Sequence, residues 1–537
     1  MRLSTGLLIT GFSLAMMLVF ACFQSVPGYM DAEYYLSNAI QLVDNEKLTE
    51  PFLWNYLDNP AGLPHPAFSY WMPLPSIMSA AGMLLFGSEK FFAARFFAIL
   101  AASILPLLVI RLSIKTGADP SVAWIAGILA IFSGYYSIFI TLTDSFPFLM
   151  VLGCSFLLII FNEDIFETPG LKRDLGYLLS GILLGLMHLS RADGLLWLMG
   201  GTGILIWRFW RDYHRALSSK KVKRIFQYFG YLLIMLVGYG VVTYWWYGRN
   251  LSEWGTLLPP GGSLTIWLTS YNQTFSYPAD SLNSATWLAS GWKEIIAVRL
   301  NAIVQNLKTF FGVQMQIFLL PFILIGAWKQ RKEPQIIFGF IMWLAIFGVM
   351  SIVFPFAGAR GGFFHSGAAL QPLFWSVFPV GLTSLIQWGV KKRRWHPKTS
   401  RNVFSFGFIC IAAMMTVVLF FGRVISPSEQ NSWNSSNAQY RKVDKMLEKL
   451  DVPNDAIIMV NDPPGFYLAT GRKSIVIPNG DVENLLSVAK KFNAKYVVLE
   501  SNHPDGLDGL YKSPEQISCM QLIQTTGNVH IFRVPVE

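Results

Sequence analysis

Asp31-Ala32-Glu33-Tyr34-Tyr35, set directly behind the apolar run Leu3–Phe23, is the stretch on which the reading of this chain turns. A run of about 20 apolar residues is long enough to cross a bilayer as a helix. Acidic residues placed at the end of such a helix are costly and need a role. On a helix, positions 31 and 33 lie about 200° apart, so the two carboxylates cannot share a face. Asp31 leads the segment and sits closer to the membrane surface. It is the better candidate to point into a site, with Glu33 capping the helix or facing elsewhere.

The rest of the chain agrees with a membrane reading. Of its 537 residues 53% are hydrophobic and only 14% charged, against about 25% charged in soluble domains. Mean hydropathy is +0.42. Disorder and a purely soluble enzyme are excluded. Apolar stretches at 3–23, 91–112, 121–141, 144–161, 174–190, 194–208, 226–246, 309–328, 335–356, 366–389 and 402–423 predict about eleven spans. The expected fold class is mainly α, a polytopic membrane helix bundle.

Charge sets the orientation. With the N-terminus cytoplasmic, alternate loops carry Arg111 and Lys115, Lys172 and Arg173, Lys220 to Arg224, Lys329 to Lys332, and Lys391 to Arg401. That is the positive-inside pattern. The net charge of +10 is then topological, and no nucleic-acid partner is implied. Residues 1–425 form the expected transmembrane unit, with external loops 24–90 and 247–308. Residues 426–537 alternate strand-like and helix-like segments and predict a small extracytoplasmic α/β domain. The four cysteines show no zinc-type or disulfide spacing.

This topology brings Asp31, Asp144, Arg191, Arg360 and His365 to one external face. Singly, each reads as a solvated loop residue or a helix cap; together they suggest a site. Aromatic residues such as Trp54, Tyr70, Trp71, Trp246 and Trp254 fit sugar stacking, although interfacial belts are the commoner explanation.

Asp31-Ala32-Glu33-Tyr34-Tyr35, His65-Pro66-Ala67-Phe68-Ser69-Tyr70-Trp71, Phe92-Ala93-Ala94-Arg95, Thr143-Asp144 and Gly181 to Arg191 follow one another as in the GT-C glycosyltransferases. The first 210 or so residues resemble protein O-mannosyltransferases and lipid A aminoarabinose transferases. The first loop departs from that pattern, since Ala32 separates the two acids and His65-Pro66-Ala67 stands where a Pro-Pro pair is common. The resemblance implies an integral-membrane enzyme that transfers a sugar from a polyprenyl-phosphate donor to an acceptor hydroxyl at the extracytoplasmic face, with inversion. The acceptor would be a protein, a lipid or a glycan.

Under that resemblance Asp31 is the expected base, with Asp144 and Glu33 as further catalytic acids. Arg191, Arg360 and Arg249 would hold the donor phosphate. His65, His365, Tyr70 and Trp71 would contact substrate. A divalent metal ion is a further option, with His65, His365 and Asp144 as ligands, but the spacing does not single it out and polar contacts are the commoner role. The expected location is a bacterial inner membrane. The competing reading is a membrane transporter or lipid flippase, which would place broken helices around charges at the bilayer midplane.

Overall fold

The computed structural model describes residues 3–45, 48–167, 170–425, 433–515 and 519–535. Helices dominate as far as Val424. Several begin with proline in the first turn, where the missing N–H has no helical partner to lose: Pro120, Pro334 and Pro397. Asp119 caps the first of these by accepting from the Ser121 amide at 2.7 Å.

Glycine lets helices touch backbone to backbone. A Cβ on Gly181 would fall 1.9 Å from the Met235 carbonyl oxygen, and one on Gly238 2.2 Å from that of Leu178. Helix Leu171–Ser190 thus seats directly on helix Lys221–Trp254. Small residues at such interfaces supply the close packing that lipid-embedded helices rely on. The latter helix has 34 residues, so it runs for about 50 Å, longer than a hydrocarbon core of about 30 Å. Its far end delivers Arg249 to the loop that follows helix Met30–Asn45, where Nη2 donates to the carbonyls of Leu48 and Ala67 at 3.1 and 2.7 Å.

Of the about eleven spans expected, some coincide with long apolar helices and others are shorter or interrupted. Among the described residues, five helices are long and apolar enough to cross a membrane: 96–115, 218–254, 334–353, 371–393 and 397–424. The stretch read as 121–141 ends its α-helix at Ile131 and continues as a 3-10 turn at Gly134–Ile138. The stretch 309–328 breaks between Gln314 and Leu320, with Gln316 and Ile317 at φ 46 and 47°. The breaks meet inside protein, where other groups satisfy them. Thr416 accepts from the Gly134 amide at 3.0 Å, and Gln371 donates to the Gln314 carbonyl at 2.9 Å. Irregular backbone at membrane depth is tolerated only when buried this way.

Beyond the bundle lies a six-stranded sheet, in the order Phe52–Leu53, Ser474–Val476, Ile457–Val460, Ala494–Leu499, Val529–Arg533, Gln521–Thr526. The first four run parallel and the last two add antiparallel. The edge strand comes from the loop between helices Met30–Asn45 and Leu74–Phe86, Phe52 pairing with Ser474, so loop and tail build one sheet. Tyr56 donates to the Val476 carbonyl at 2.5 Å, and Asn479 donates from its amide to the Phe275 carbonyl at 2.9 Å. The boundary expected at 425/426 abuts residues 426–432, which lie outside the described residues.

Candidate active site

Asp31 and Glu33 occupy the first turn of helix Met30–Asn45. As their angular separation requires, they part company. Asp31 enters a cavity of about 390 Å³ whose lining includes Trp54, Tyr70, Trp71, Arg191, Tyr271, Arg360 and His365. Glu33 is buried against the tail, facing Asp462 across Gly465; a Cβ there would lie 2.9 Å from Glu33 Oε2 and 2.7 Å from Asp462 Oδ2. Burial, then the Asp462 charge, raise the Glu33 carboxyl well above its usual range.

His365 stands between two carboxylates. Its Nε2 is 3.6 Å from Asp31 Oδ2, and its Nδ1 is 3.7 Å from Asp144 Oδ1. The Phe146 ring packs on the imidazole with centroids 4.1 Å apart. Asp144 is fully buried. Its Oδ1 accepts from the Ser145 hydroxyl at 2.9 Å, and its Oδ2 accepts from the Tyr29 hydroxyl. Asp31 remains 29% exposed to the cavity. Its pKa is raised to about 7, by enclosure first and by the Asp144 charge second, with Arg191 opposing. Burial pushes His365 down to about 4, so its ring is neutral at physiological pH.

Arg191 follows helix Leu171–Ser190 in extended backbone. Its Nε donates to Asp193 at 2.9 Å, and its Nη groups make no hydrogen bond among the described residues. Arg360 sits beside Gly361, whose φ of 120° makes the bend. Its guanidinium lies 3.8 Å from the centre of the Tyr271 ring. Trp54 and Trp71 stack at 4.2 Å. Leu195, Leu196, Val349, Met350 and Phe354 make the cavity apolar elsewhere.

Four of the candidates lie outside the lining of this cavity, and one of them, Asp144, is buried directly behind His365. Arg249 is held between the Trp246 and Trp254 rings and two backbone carbonyls. His65 bridges two buried acids, with Nε2 2.9 Å from Asp58 and Nδ1 3.4 Å from Glu50. Those acids overcome burial and lift its pKa to about 9. Glu33 faces the tail. Tyr29 and Tyr271 belong to the site although the sequence marked neither. Tyr29 stands two residues ahead of Asp31, and nothing local marks its contact with Asp144.

One oxygen each of Asp31 and Asp144 and one ring nitrogen of His365 lie within 4.8 Å of one another. His365 Nδ1 is buried with no hydrogen-bond partner among the described residues. Two carboxylates and an imidazole suit a divalent cation, so the donor set fits such an ion. Asp31 takes the place in it that the sequence reading gave to His65.

The sequence matches no protein-family model and no curated protein. Its fold does have solved counterparts. ArnT from Cupriavidus metallidurans, in the apo state, superposes with a TM-score of 0.54 at 13% identity, over 99% of this chain and 98% of that one. The same protein bound to undecaprenyl phosphate gives 0.53 at 13%, over 98% and 97%. The Archaeoglobus fulgidus oligosaccharyltransferase in complex with Zn and sulfate gives 0.51 at 13%, over 94% and 68%. These superpositions over nearly the whole chain show that it has the GT-C fold.

Proposed function

We propose that this chain is an integral-membrane glycosyltransferase that moves a sugar from a polyprenyl-phosphate donor to an acceptor hydroxyl at the extracytoplasmic face, with inversion. The observation that carries this reading is the shared cavity. Asp31 at one wall and Arg191 and Arg360 at others face the same space of about 390 Å³. A base and two cations converging on one space is what this transfer needs. The likeness to ArnT bound to undecaprenyl phosphate supports a lipid-linked donor.

In this reading Asp31 takes the proton from the acceptor hydroxyl, and a pKa near 7 suits that task. The acceptor oxygen attacks the anomeric carbon from the face opposite the phosphate. The bond from that carbon to the phosphate oxygen breaks, and its electron pair leaves with the lipid phosphate. Arg191 and Arg360 stabilise the charge that builds there. Trp54, Tyr70 and Trp71 offer ring faces to the sugar. Asp31, Asp144 and His365 would hold a divalent ion, which when bound supplies Lewis-acid charge beside the base. Asp144, fixed by Tyr29 and Ser145, sets a carboxylate 3.7 Å behind His365 Nδ1. Residues 426–537, as an external α/β unit, would cover the acceptor side.

The test is a reconstituted vesicle assay with doubly labelled polyprenyl-phosphate sugars. Separation of the sugar label from the lipid label, with inverted configuration in the product, is expected. Movement of intact donor across the bilayer without cleavage would replace this reading with a transporter or flippase.

A further inference from the structure

A second cavity, of about 400 Å³, lies at the other end of the bundle. Helix Phe146–Ile160 begins beside Asp144 and ends at this cavity, and helix Leu171–Ser190 begins at it and ends beside Arg191. The two cavities are thus separated by a helix length of about 22 Å. The positive-inside pattern puts this one on the cytoplasmic side.

Two arginines form its floor. Arg173 and Arg208 are only 6% and 8% exposed. Arg208 donates from Nη2 to the Ile160 carbonyl and lies 4.3 Å over the Phe166 ring, beside Tyr177. Its Nη1 is buried and has no hydrogen-bond partner among the described residues. Arg173 donates to the Glu167 carbonyl at 2.7 Å and to the Tyr231 hydroxyl at 3.2 Å, yet its Nε is also buried with no hydrogen-bond partner among the described residues. Leaving buried guanidinium N–H groups unpaired is costly, because they have lost water and gained nothing. An anion in the cavity would satisfy them, and phosphate matches a guanidinium fork.

The mouth has the opposite sign. Glu163, Asp164 and Glu167 are exposed there. In all, the lining holds four cationic side chains and five carboxylates. That balance disfavours a polyanion and fits a group carrying both signs. We propose that this cavity binds a phosphate–ammonium group, with the phosphate on Arg173 and Arg208 and the ammonium toward the carboxylates of the mouth. A zwitterionic lipid headgroup of the inner leaflet and a free aminoalkyl phosphate share this chemistry.

The experiment is hydrogen–deuterium exchange on the full-length unmutated chain in detergent. Phosphoethanolamine, a short-chain phosphatidylethanolamine and a short-chain phosphatidylglycerol are added in turn. The expected result is slowed exchange at 160–175 and 205–215 with an ethanolamine-bearing probe. Protection by the lipid alone identifies a headgroup, and equal protection by both identifies the soluble ester. Arg208→Gln should weaken the protection at least tenfold. Arg211, exposed on the same lining, adds positive charge beside the phosphate position; Arg211→Gln should weaken the protection less and serves if Arg208→Gln does not fold. No protection by either ethanolamine probe, or protection unchanged in the folded variants, would overturn the proposal. Equal protection by phosphatidylglycerol would overturn the role given to the carboxylates.

Discussion

Asp31 and Asp144 address opposite nitrogens of one imidazole: His365 Nε2 lies 3.6 Å from the first and Nδ1 3.7 Å from the second. The buried Asp144 is tied down by Tyr29 and Ser145, whereas Asp31 opens into the cavity. The pair thus divides into an anchored acid and a reactive one, with a neutral ring between them. Their charges also interact, which is part of why Asp31 titrates near 7.

A pH dependence follows from that value. In the ion-free protein transfer needs Asp31 deprotonated, so kcat/KM measured with chelator present should rise with pH through about 7 and then level; a bound divalent ion would hold Asp31 deprotonated and move the midpoint lower. Asp144→Asn removes the neighbouring charge and should move the midpoint to lower pH. Glu33→Gln should leave the midpoint in place, since Glu33 faces Asp462. A flat profile between about pH 5 and about pH 9 would remove Asp31 from the base role.

Donor affinity should separate the three arginines. Arg191→Ala and Arg360→Ala should each weaken binding of a polyprenyl phosphate by about tenfold or more, since each removes a charge-assisted contact. Arg249→Ala should spare that affinity and instead loosen the first loop, because Arg249 holds the Leu48 and Ala67 carbonyls. Equilibrium binding and protease sensitivity of 48–67 check the two halves of this prediction.

Metal content gives a check independent of turnover. The protein purified without chelator should carry about one divalent ion per chain, measured by elemental analysis. His365→Ala and Asp144→Asn should both lose it, and His65→Ala should keep it, because His65 is engaged by Glu50 and Asp58. Retention in the first two would show that these residues hold no ion.

The tail should be more stable in mild acid than in mild base. Burial, with the Asp462 charge, raises Glu500 to about 7, above an unfolded value of about 4.3. Between those values the folded chain holds a proton that the unfolded chain releases. Stability is therefore full below the lower value and falls as pH rises through the upper one. Hydrogen exchange at Val497–Leu499 should accelerate from about pH 5 to about pH 8 beyond the intrinsic base-catalysed increase. Glu500→Gln should flatten that excess.

The helical class was legible because apolar runs and basic loops follow directly from the physics of the bilayer. The helix Val482–Phe492 falls in the tail read as alternating strand-like and helix-like segments, and Asp481 caps it by accepting from the Asn484 amide. The breaks at Phe132 and between Gln314 and Leu320 were not legible, because hydropathy does not register where a helix kinks into buried polar partners. Nor was the joining of Phe52–Leu53 to the tail sheet, a two-residue strand specified by distant neighbours. At the site, topology alone gathered Asp31, Asp144, Arg191, Arg360 and His365. It could not distinguish Arg249 or His65 from them, because what removes those two from the cavity is local pairing with carbonyls and with Glu50 and Asp58.

The most direct measurement is sugar release from a labelled polyprenyl-phosphate donor by the purified chain, compared with Asp31→Asn at matched folding and donor occupancy. Loss of a general base typically costs about 10²-fold or more. The account predicts robust transfer by the wild type and a loss of at least that size in Asp31→Asn, with donor binding retained. Near-wild-type transfer by Asp31→Asn would contradict it.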